Sequence, residues 1–258
     1  MGTEPVKRKV SRLRESVQLL GQGLNHLLWP AVCSNCGENI CETQHVLCGD
    51  CWDELLSCAA GDYCGSCGRD ASKYGILAGV CPECQGKKIY FDGITRGGVY
   101  GKALQRMILS FKNGRTELDS VLSFLADSAL KGCSFRGEIE ILVPVPLHWT
   151  RRLMRGFNQS GLLARRLRNS NVKIIQDLVR IRRTKKQPAM ASAAARAANV
   201  AGAFAVRSDH RYAGRNVCLV DDIKTTGATL NECARTLKEA GAAKVFAVVL
   251  AVAGQNID

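Results

Sequence analysis

Two adjacent carboxylates followed by a hydroxyl-rich turn, Asp221, Asp222, Ile223, Lys224, Thr225, Thr226, Gly227, Ala228 and Thr229, combine the groups that hold a phosphorylated sugar. The carboxylates accept hydrogen bonds from vicinal hydroxyls. The turn offers threonine donors and backbone N–H groups at the start of a helix, where the dipole favours a phosphate without help from Lys or Arg. Gly227 lets the backbone approach closely. Acids that would repel a phosphate beside a turn that would hold one point to a ligand with both parts, a ribose 5-phosphate unit. The same residues also fit an ordinary strand–turn–helix with a capping threonine.

The elements that must position these groups are legible on either side. Val217, Cys218, Leu219 and Val220 form an unbroken apolar run, as in a parallel strand covered on both faces, which the acids are expected to end. Leu230, Cys233, Ala234 and Leu237 keep helical spacing, and Gly241 stops the helix. A second strand, Ile139 to Val145, runs into Val143-Pro144-Val145-Pro146, whose prolines mark a rigid turn at its carboxyl edge. Beyond it lie Arg151, Arg152 and Arg155, whose planar forks suit a diphosphate.

Thirteen cysteines are present, and eight of them form four CxxC pairs: Cys33/Cys36, Cys48/Cys51, Cys64/Cys67 and Cys81/Cys84. Two such pairs complete one tetrahedral zinc site of four thiolates, so two structural Zn2+ ions are expected. Sequential pairing groups Cys33, Cys36, Cys48 and Cys51, then Cys64, Cys67, Cys81 and Cys84; the spacing leaves a cross-braced pairing open. No export signal is evident, which argues for reduced thiols, a cytoplasmic location and against a disulfide framework. No apolar stretch is long enough to span a bilayer. The cysteine-rich region has few large aliphatic residues, and metal would supply the missing stability.

The formal charge of +13 is concentrated. Thirteen Lys or Arg residues and a single acid, Asp177, fall between Thr150 and Asn199. Such a window suits polyphosphates or nucleic acid, although a solvated basic face is the commoner meaning. Three regions are expected: a basic amphipathic helix (1–30), a double zinc ribbon (31–86), and an α/β domain (87–258) with a parallel sheet and flanking helices. In the last, Ile89 to Tyr100 reads as one or two strands bent at Gly97 and Gly98. Helices are expected from about Lys102 with Gly114 past its end, and over about 118–131 and 159–168, with further strands at 172–175 and 245–252.

The DDIKTTGAT block resembles the binding motif for 5-phosphoribosyl diphosphate (PRPP) of type I phosphoribosyltransferases. That resemblance implies that Asp221 and Asp222 contact the ribose hydroxyls and serve as the catalytic pair. It places the 5-phosphate in the loop of Thr225 to Thr229, with Lys224 at a variable position of the motif, and the pyrophosphate against Pro144, Val145 and Pro146 and the arginines after them. Mg2+ would accompany the PRPP. The order of CxxC pairs, PVPLH, RGFNQS, a basic segment and DDIKTTGATL is similar to the ComF competence proteins over nearly the whole chain. Trp149 and Met190 depart from that pattern without touching the site. The resemblance implies a role in single-stranded DNA uptake during natural transformation, beside a helicase-like partner at the inner face of the membrane. The rival expectation is a non-catalytic nucleic-acid adaptor with a regulatory or vestigial sugar-phosphate pocket.

Overall fold

A computed structural model of the chain describes residues 31–40, 46–71, 80–168, 171–184 and 192–254. The expected N-terminal helix, Cys41, His45 and the basic residues Lys185 and Lys186 lie outside these. Compact units run Met1–Trp52 and Asp53–Asp258, so the second set of CxxC pairs shares a unit with the sheet.

Five parallel strands form that sheet: β1 (Gly93–Val99), β2 (Ile141–Pro144), β3 (Lys173–Ile174), β6 (Asn216–Lys224) and β7 (Lys244–Val252), in the order β1-β7-β6-β2-β3. A separate antiparallel pair, β4 (Leu178–Arg180) and β5 (Phe204–Val206), was not expected from the sequence. Seven helices are described: α1 (Gly49–Ala59), α2 (Lys102–Lys112), α3 (Asp119–Gly132), α4 (Trp149–Arg155), α5 (Gln159–Leu167), α6 (Ala193–Val200) and α7 (Ala228–Glu239). Right-handed crossovers dictate their placement. From β2 the chain steps outward to β3 through α5, whereas from β6 it steps the opposite way to β7 through α7, so α5 and α7 cover opposite faces. The anticipated stripe Leu230, Cys233, Ala234 and Leu237 is buried with Val217, Leu219, Val245 and Ala247 in one core. Burial of each leucine contributes roughly 1.5–3 kcal/mol.

The expected bend at Gly97 and Gly98 is absent, and β1 runs straight through both. These glycines serve close backbone approach instead. A Cβ at Gly97 would stand 2.8 Å from the Leu250 carbonyl oxygen, and one at Gly98 would stand 2.6 Å from that of Cys58. Gly98→Ala is therefore expected to cost about 3 kcal/mol in a denaturant titration, at the upper end for overpacking. Gly132→Ala, with open space around its Cβ, should change stability by less than about 0.5 kcal/mol.

As an edge strand, β1 would expose unpaired backbone groups. The second ribbon covers it. The Ile94 amide donates to the Gly65 carbonyl at 2.9 Å, the Tyr63 hydroxyl bonds Thr95 Oγ1 at 2.9 Å, and buried Arg96 pairs with Asp70 while lying over the Tyr63 ring.

Candidate functional site

The switch in strand order between β2 and β6 opens a crevice at the carboxyl ends of the strands, the usual ligand position in open α/β sheets. β2 stops at Pro144, which pairs with Val220. The Val145 amide still donates to the Val220 carbonyl at 2.9 Å, and the chain then turns away. β6 does not stop with it. Contrary to expectation the strand continues through Asp221 and Asp222 to Lys224, held by β7 alone. The two acids thus occupy the side of β6 that β2 has vacated, and both line a crevice of about 1250 Å³.

Asp221 Oδ1 accepts from Ser160 Oγ at 3.1 Å and from the Asp222 amide at 2.9 Å. Burial and the neighbouring Asp222 charge push its pKa up to about 7, against the pull of Lys112 and of those donors. Asp222 pairs with Lys112 Nζ at 2.9 Å, and both side chains remain on the crevice wall. A bound diol would share or displace that ammonium. Thr225 and Thr229 join the same wall. Between them Gly227, at φ +83°, turns the chain into α7, Thr226 Oγ1 accepts from the Ala228 amide at 3.4 Å, and no side chain caps the helix through Gly227.

Arginines form the facing wall. Arg151 and Arg155 lie on it as expected, joined by Arg180 and Arg183. Arg151 donates to the Thr184 carbonyl at 3.2 Å, and Arg180 pairs with Thr184 Oγ1 while its guanidinium lies 5.2 Å from the Phe204 ring centre. The Arg180 Nε is buried and unpartnered. Burial and neighbouring arginines, Arg155 and Arg183 for Arg151 and Arg151 for Arg180, hold both guanidinium groups below their ordinary values, a sign of positive charge packed without enough anions. Val145, Pro146 and Leu147 close the floor. His148 is a helix cap, its Nδ1 accepting from the Thr150 amide at 3.4 Å.

Six expected ligands do not line the crevice: Thr226, Gly227 and Ala228 of the turn, and Lys224, Arg152 and Pro144. Lys224 is buried at 4 % exposure under the turn and does not line the crevice. Arg152 is exposed and off the crevice wall, because α4 turns it outward. Pro144 is a buried strand residue that ends β2. Lys112, Ser160, Arg180 and Arg183 were missed, since they arrive from α2, α5 and the β4 region rather than from a contiguous motif.

The cysteines gather in the sequential pairing. Cys33, Cys36, Cys48 and Cys51 form one cluster, and Cys64, Cys67, Cys81 and Cys84 the other, with all Sγ atoms of each within 4.8 Å of one another. Individual contacts of 3.6–4.0 Å match the edges of a tetrahedron with about 2.3 Å Zn–S bonds. Both sites use one turn, in which Gly37 and Gly68, at positive φ, donate to the carbonyls of Cys33 and Cys64. Burial alone would raise the Cys33 and Cys64 thiols, yet backbone donors outweigh it and bring them to about 6 and about 7. Thiols so lowered are ready ligands. Cys58 belongs to neither cluster and bonds the Glu54 and Gly101 carbonyls.

Residues 153–257 match the phosphoribosyl transferase domain family, and residues 24–85 match the double zinc ribbon domain family. Competence protein F of Haemophilus influenzae is 30% identical over 220 residues, covering 83% of this chain and 93% of the relative. The DNA utilization protein YhgH of Escherichia coli is 30% identical over 187 residues, covering 70% and 80% respectively. Competence protein ComFC of Bacillus subtilis is 28% identical over 204 residues, covering 76% and 80%.

Proposed function

Because the chain belongs to the ComF family of competence proteins, with a phosphoribosyl transferase domain behind a double zinc ribbon, we propose that its crevice binds PRPP. One observation carries this reading: the acidic pair and the two ends of the turn, Thr225 and Thr229, line the same crevice at the switch point as Arg151, Arg155, Arg180 and Arg183. Asp221 and Asp222 accept from the ribose hydroxyls, and the turn into α7 receives the 5-phosphate. Arg151, Arg155, Arg180 and Arg183 meet the diphosphate, whose charge satisfies what is otherwise an uncompensated cluster. Mg2+ bound with the diphosphate would neutralise its charge and keep most of its waters; the two carboxylates offer hard oxygen ligands, and no third acid joins them among the described residues. In transfer, a nitrogen nucleophile forms a bond to C1 as the C1–O bond breaks. Pyrophosphate leaves with the bonding pair, held by the arginines, and the acids stabilise positive charge on the ring.

The names of the relatives, a competence protein and a DNA utilization protein, support a role for this site in DNA uptake and use; single-stranded DNA, a cytoplasmic location and a helicase-like partner at the inner face of the membrane are what the family resemblance adds to that reading. Among the described residues no helix is long and apolar enough to cross a membrane. A second reading, a nucleic-acid adaptor, is favoured by one observation. Trp149 is 68 % exposed on α4, on the same short helix as Arg152 and Arg155, and an open indole among arginines is a stacking platform for bases.

Calorimetry separates the two readings. With Mg2+ present, PRPP should titrate one site per chain, and Arg151→Ala should weaken PRPP by about tenfold or more while weakening ribose 5-phosphate less, since the latter lacks the diphosphate. Trp149→Ala should leave PRPP binding intact and loosen salt-sensitive oligonucleotide binding by about 1–3 kcal/mol. Absence of any PRPP heat in the unaltered chain, with oligonucleotide binding retained, would favour the adaptor.

A further inference from the structure

Lys224 sits where the PRPP motif varies, and its burial calls for an explanation. An ammonium at 4 % exposure is costly unless an anion compensates it, and no carboxylate pairs with it among the described residues. Its backbone fixes where it reaches. Lys224 pairs with Val252 across β6 and β7, and Gly68, the residue after Cys67, packs its Cα on the Val252 side chain, with a notional Cβ at 3.0 Å. This shared neighbour puts the buried Lys224 side chain on the sheet face against which the second ribbon packs. Burial holds the Lys224 ammonium below its ordinary value and Arg69 adds to this, while the charges of Cys67, Cys84 and Cys64 act against it. A zinc ion on four thiolates carries a net charge of about minus two. Arg69, another cation beside this cluster, is already paired with Glu83. On its upper side Lys224 supports the turn: a Cβ on Gly227 would lie 2.9 Å from Lys224 Cε.

We propose that Lys224 is the counter-ion of the second zinc–tetrathiolate site and, through it, a positioning residue that seats the phosphate-binding turn on the ribbon. The zinc half of this stands on the cluster alone, and the ligand half rests on the PRPP reading. Zinc release from the full-length protein to a chromophoric chelator tests the first half. Lys224→Met should accelerate release of one of the two zincs by about tenfold to a hundredfold and leave the other unchanged, as loss of an outer partner of a metal site does. Placed on Cys84→His, which makes the site one charge less negative, Lys224→Met should cost distinctly less. Unchanged release, equal acceleration of both zincs, or strictly additive effects would each overturn the counter-ion role. In calorimetry, Lys224→Met should weaken PRPP by about tenfold; undiminished binding in a variant that has lost its second zinc's stability would overturn the positioning role. If the unaltered chain itself takes up no PRPP, the fault lies with the PRPP reading, and the zinc measurement still decides the rest.

Discussion

Replacing both acids, Asp221→Asn with Asp222→Asn, is expected to weaken PRPP by at least about a hundredfold. In the proposed binding mode each carboxylate would accept a charge-assisted hydrogen bond from a ribose hydroxyl, worth about 1.5–3 kcal/mol. The single variants should split in stability, because the two acids are held differently. Asp221 has its pKa pushed up to about 7 by burial and by Asp222, so the folded protein binds a proton that the unfolded chain releases near pH 4. Where the native state holds more protons, stability falls as pH rises, here between about pH 4 and 7. Asp221→Asn removes that penalty and should melt about 4–8 °C above the unaltered chain at pH 8, roughly 2 kcal/mol, with the gap closing toward pH 4. Asp222→Asn should do the reverse, since it strands the Lys112 ammonium, whose side chain is only 19% exposed. Thermal melts of the two variants at pH 5 and pH 8 check both signs. Equal shifts at both pH values would mean that Asp221 is an ordinary surface acid.

Loss of the second zinc site is expected to be far more damaging than loss of the first. All four thiols of Cys64, Cys67, Cys81 and Cys84 are buried, whereas Cys36 of the first site is exposed. The second ribbon also covers the β1 edge through the Gly65 carbonyl, Tyr63 and the Asp70–Arg96 pair, and the sheet shares its unit. A structural zinc contributes an apparent ~10–16 kcal/mol, and its loss here uncovers an edge strand as well. Cys67→Ser should therefore lower the melting transition of the 53–258 unit by more than about 10 °C, and Cys36→Ser should leave that transition nearly unmoved. Differential scanning calorimetry resolves this. Equal shifts for the two variants would show that the second ribbon is not part of the fold that carries the crevice.

Much of this arrangement was legible in the residues. CxxC pairs announce themselves by spacing, and the apolar runs at Val217 and Val245 mark central strands because a parallel sheet is buried on both faces. The strand, turn and helix that carry Asp221 to Thr229 were legible because they follow one another without a break. What escaped was assembled across elements. Lys112, Arg180 and Arg183 reach the crevice from two distant segments that no motif marks, and Ser160, although it ends the RGFNQS motif, was given no site role. β4 and β5 escaped because three-residue strands in a basic stretch carry no readable alternation. The end of β6 was misjudged for a physical reason. Acids usually close a buried strand, but here β2 ends one residue earlier and frees that flank for solvent and ligand. The burial of Lys224 was not legible, because no apolar pattern marks a lysine at the end of a strand for the interior.

The most direct test of the central claim is a crystal structure of the protein soaked with PRPP and Mg2+. The account predicts ribose hydroxyls on Asp221 and Asp222, the 5-phosphate within Thr225–Thr229, and the diphosphate facing Arg151 and Arg180. An empty crevice at saturating ligand, or a pentose bound with its hydroxyls away from both acids, would contradict it.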